Sequence, residues 1–106
     1  MRELDIKRLL MQLDKSIREI NRDIINPEIA ELKLNDLSPV VKMVAQARAD
    51  YLKALFEMAN PTQAERPDAE QISRLKQFRI TYEELLKGSV ALETAIERGY
   101  LDVVSD

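Results

Sequence analysis

The sequence predicts an all-α fold: a three-helix up-down-up bundle with a short extra helix between helices 1 and 2. Three observations carry this. The chain of 106 residues has only two glycines, Gly88 and Gly99. Two long stretches space their apolar residues alternately by three and four, the period of a helix face. All four prolines fall between those stretches and not within them. The length fits one domain, 1–106, able to bury a moderate core unaided.

The first helix is read over residues 2–25. Ile6, Leu10, Leu13, Ile17, Ile20 and Ile24 step by 4, 3, 4, 3 and 4, a heptad seam, and Leu9 widens it. Asn26-Pro27 stops it, because a proline disfavours helical geometry in the residue before it.

The second helix is expected to start at Ser38-Pro39, a good N-cap followed by a residue suited to the first helical position. It should end at Asn60-Pro61. Its apolar arc is wide: only Lys42, Gln46, Asp50, Lys53 and Glu57 form a polar strip. A helix apolar on most sides needs cover on more than one, so it is assigned as the central helix.

Residues 60–67, NPTQAERP, read as a loop. Asp68 follows as an N-cap, with Gln71 placed to complete a capping box. The third helix carries Leu75, Phe78, Tyr82, Leu85, Ser89, Leu92 and Ile96 on one face. Gly99 suits the left-handed residue that ends it, with Tyr100 as the apolar contact beyond. In an antiparallel pair with Asp68 level with Ala59, the last ten residues of helix three overhang helix two by roughly 15 Å. Ile29, Leu32, Leu34 and Leu37 lie in the connection that emerges at that end. A short helix over about 27–34, strapped across the overhang, would cover it. A second copy of the chain is the other candidate cover.

Composition excludes much chemistry. The chain has no cysteine and no histidine, so it lacks disulfides, thiolate or imidazole metal ligands and histidine-based catalysis. No calcium-loop pattern is present, and no metal or other cofactor is expected. Glu93 and Glu97 are neighbours on one helix face but lack the second carboxylate–histidine set of a di-metal bundle. Residues 1–53 carry ten basic and nine acidic groups, and residues 54–106 carry six and ten. Neither half has the basic field of a nucleic-acid binder. Charges interleave with apolar residues at the N-terminus, so neither signal peptide nor membrane span is expected, and a cytoplasmic location is the default.

Two resemblances are too partial to assign a family. AIERGYLDVV is similar to the middle of an ankyrin repeat, but no partner lies one repeat upstream. Size and helix count are similar to small helical chorismate mutases, but Pro27 cuts the long first helix those enzymes need, and Arg18 and Arg22 fall on its polar side.

The function class expected is a noncatalytic helical interaction module: a small adaptor, chaperone or assembly subunit. Leu4 and Met11 fall opposite the first seam, and Phe56 sits at the far edge of the second helix's apolar arc. These three are the candidate interface residues, and homodimerisation through helices one and two is expected. The alternative is a small-ligand or anion-binding bundle, conceivably an enzyme, using Arg48 and Arg79, which fall at about one level. The simpler assignment for both arginines is pairing with a nearby acid such as Asp14 or Glu83. Gly88 is assigned to close approach of another backbone.

Overall fold

The computed structural model describes residues 2–29, 31–59 and 66–105. It is mostly helical, with α1 (Glu3–Ile25), α2 (Leu34–Met58) and α3 (Ala69–Glu97). Two short strands, β1 (Leu32–Lys33) and β2 (Val103–Val104), pair in parallel. By contacts the chain divides into two compact units: 1–37 with 92–106, and 38–91.

The first unit holds α1, the connection after it, the end of α3 and the C-terminal segment. α1 begins with Glu3 and Asp5 and has Arg22 in its last turn, an order that suits the helix dipole. It stops where Asn26-Pro27 was expected to stop it. The short helix over 27–34 is absent. A single 3₁₀ turn, Asn26–Glu28, replaces its start, and the Leu32 N–H instead donates to the Asp102 carbonyl at 3.1 Å. The backbone at 32–33 thus finds partners in β2, which Val103 and Val104 favour as β-branched residues.

α2 also starts earlier than Ser38-Pro39. The Asp36 carboxylate accepts the Lys33 N–H at 2.8 Å, the acidic half of a capping box, and this fixes the helix start at Leu34. Pro39 therefore lies inside the helix, where its missing N–H leaves the Asn35 carbonyl without its intrahelical donor.

The end of α3 follows the sequence closely. Gly99 has φ of +78°, its N–H donates to Ile96, and the Tyr100 N–H donates to Ala95 at 2.8 Å. This pair of bonds is a Schellman stop. It turns Tyr100 and Leu101 inward onto Ala95, and Ile25, Leu32 and Leu92 close around them. The strap segment therefore does reach the end of α3, with Leu32 packed on this cluster. Leu34 is 65% exposed and Ile29 is exposed too.

The second unit is an α2–α3 helical hairpin. Asp68 and Gln71 form the reciprocal capping box: the Asp68 N–H donates to Gln71 Oε1 at 3.0 Å, and the Gln71 N–H donates to Asp68 Oδ1 at 2.7 Å. Val44, Ala47 and Ala54 are buried on one face of α2, with Val40, Tyr51 and Met58 half-buried beside them. Leu75, Phe78, Tyr82, Leu85 and Ser89 form the half-buried stripe of α3, as their spacing predicts. The Tyr51 and Tyr82 rings meet at 6.1 Å. The assignment of α2 as a covered central helix does not hold, since Val41, Met43, Leu52, Leu55 and Phe56 remain exposed. The loop read at 60–67 lies mostly outside the described residues.

Gly88 has nothing within 4 Å of where a Cβ would stand, so no backbone approaches it closely. It is exposed within α3. Gly88→Ala is expected to raise stability by about 0.5–1 kcal/mol, read from urea unfolding, because alanine loses less backbone entropy in a helix.

Candidate interaction surface

α1 has ten Leu, Ile or Met residues among its 23, yet none of its residues is buried. The six seam residues range from 41% exposed at Ile17 to 64% at Ile24. Residues 2–13 are exposed without exception. Leu4 and Met11 add a second apolar strip, 75% and 74% exposed, and Phe56 on α2 is equally open. All three candidate interface residues thus stand at the surface.

The side of α1 that does pack lies beside the seam and, apart from Ile25, is polar. Arg22 donates to the Gly99 carbonyl at 2.7 Å and makes a two-pronged pair with Asp102, at 3.2 and 3.0 Å. Asn26 Nδ2 donates to the same carboxylate at 3.4 Å. One turn and more upstream, Arg98 donates to Asp14 at 2.6 Å and to the Tyr100 hydroxyl at 2.8 Å. Arg18 also donates to Asp14, at 3.1 Å. Two arginine–aspartate pairs therefore clip the last half of α1 to the Schellman turn. The Gly99 stop was legible in the sequence. The clips were not, because Arg22 and Asp102 are 80 positions apart and nothing local marks them as partners.

The hydrogen bond from Arg98 holds the Asp14 carboxyl below its ordinary value of 3.8, and the bond from Arg22 does the same for Asp102. Both folded values are depressed, so their stabilisation is complete above the ordinary aspartate range. It is lost as pH falls through the lowered values. Thermal unfolding followed from pH 7 to pH 2 is expected to show a drop in stability beginning near pH 4. Asp102→Asn should lower stability at pH 7 and flatten that drop; an unchanged acid limb would show that the clip does not titrate with folding.

Arg48 and Arg79 both lie in the helical hairpin. Arg48 Nε donates to the Tyr82 hydroxyl at 3.1 Å, and its guanidinium lies 5.2 Å from the ring centre. Arg48 thus sits level with Tyr82, about one turn along from Arg79. Arg79 pairs with Glu83 at 3.4 Å. A cleft of about 180 Å³ in the hairpin is lined by Ala54, Glu57, Met58, Gln71 and Arg74. It involves neither Arg48 nor Arg79 and falls below the roughly 300–1,000 Å³ of small-molecule sites.

Among the described residues no helix is long and apolar enough to cross a membrane. No three acidic side chains gather there in a way that could hold a metal ion. The exposed apolar surface of α1 and α2 is the feature that calls for a partner. No family model, curated protein or solved structure matches the chain.

Proposed function

We propose that this chain is a noncatalytic helical interaction module that works as a homodimer through α1 and α2. The observation that carries the reading is α1: a helix nearly half aliphatic that buries none of its residues. Water-facing helices of soluble proteins carry one apolar stripe and pack it. Here the stripe is present, and none of the described residues of α1 is buried.

An adaptor or assembly subunit of this kind would use the dimer as its scaffold and offer the remaining apolar surface, including Phe56, to a further protein.

Light scattering across micromolar concentrations tests the reading. The expected mass is twice 12.2 kDa. A monomer at every concentration would overturn the homodimer. Met11→Ser combined with Phe56→Ser is expected to leave the fold intact, since both side chains are already exposed, and to weaken whichever contact they make.

A further inference from the structure

Resting on that homodimer, we infer that the α1 seam is occupied by α1 of a second copy, running antiparallel, with Ile6 facing the partner's Ile24. The seam spans 6–24 at strict 4, 3 spacing, and every one of its six residues is exposed. The side of α1 that Arg98 and Asp102 engage lies beside it, so the seam can take a helix without breaking the clips.

The residue types choose the direction. In heptad terms Leu10, Ile17 and Ile24 occupy the a positions, and Ile6, Leu13 and Ile20 the d positions. Parallel two-stranded coils favour leucine at d, whereas isoleucine stands at two of the three here. Parallel alignment would also bring Arg2 against the partner's Lys7, a like-charge pair. Antiparallel alignment avoids both problems. It stacks Ile6 on the partner's Ile24, Leu10 on the partner's Ile20 and Leu13 on the partner's Ile17, so each layer pairs residues of similar volume. Lys7 then meets the partner's Asn21. Asp14 approaches its own copy near the twofold axis, where Arg98 and Arg18 already take up its charge. The two helix dipoles oppose, which is favourable.

The chain's lack of cysteine makes the test direct. Ile6→Cys and Ile24→Cys are prepared separately and oxidised alone and as a mixture. The mixture is expected to yield a covalent dimer carrying one copy of each variant, and neither variant alone should crosslink. Self-crosslinking of Ile6→Cys would mean a parallel seam and overturn the inference. A dimer by mass that crosslinks in neither setting would place the interface elsewhere, overturning the inference while the homodimer stands. A monomer by mass overturns both. The exposed pair Leu9→Cys and Asp23→Cys, joined by a short bis-maleimide, repeats the test outside the seam should either core variant fail to fold.

Discussion

Leu101→Ala is expected to lower the stability of the unit formed by residues 1–37 and 92–106 by about 2–3 kcal/mol. Leu101 is the most buried side chain of the cluster, 4% exposed, and it touches a core that otherwise consists of Ala95 and Tyr100 with three half-buried neighbours. Truncation removes apolar contact and leaves a void. In so small a cluster the surroundings can partly close, which keeps the loss in the lower part of the range for leucine-to-alanine changes. The effect should appear as a fall in urea midpoint with the slope preserved. Leu34→Ala is the control: its side chain is mostly in water, so the change should stay within about 0.5 kcal/mol. Equal losses at the two positions would mean that Leu34 is covered in solution and that the strap over 27–37 does more than carry Leu32.

The contrast between those two leucines shows what the sequence could and could not convey. Three helix ends were legible because local chemistry decided them, whereas the start of α2 at Leu34, set by Asp36 on the Lys33 N–H, was outweighed by the stronger Ser38-Pro39 signal. Asn26-Pro27, the Asp68–Gln71 box and the Gly99-Tyr100 stop all depend on residues within six positions of one another. The short segment 27–37 was misread because its conformation depends on a partner 70 residues away. Parallel pairing with Val103–Val104 converts a predicted helix into a strand, and Leu32 turns inward while Leu34 turns out. The register of the hairpin was nearly right, and Arg48 reached Tyr82 in place of the level of Arg79. The wide apolar arc of α2 was read correctly as a surplus. Its assignment as a covered central helix was the error, since Val41, Leu52 and Phe56 stay exposed. Periodicity identifies a face that needs burial and is silent on which chain buries it.

That distinction has its largest consequence for the first half of α1. Residues 3–13 are helical and none of them is buried, and the clips to Asp102 and Arg98 begin only at Asp14. An isolated helix of this length is marginal in water, because nucleation is costly and no packed face repays it. The amides of 3–13 are therefore expected to exchange with solvent rapidly when the chain is dilute and to gain protection as concentration rises, the mass-action signature of stabilisation by a partner copy. Ile17→Asp places a charge at the centre of the seam, where dimerisation would have to bury it unpaired at a cost of several kcal/mol. It should abolish the concentration dependence and leave 3–13 unprotected throughout. The unit's own core, built on Leu101 and the Schellman turn, does not include Ile17 and should survive the change. Protection of 3–13 that is strong at high dilution, and unaffected by Ile17→Asp, would show that α1 is held by its own chain and needs no second copy.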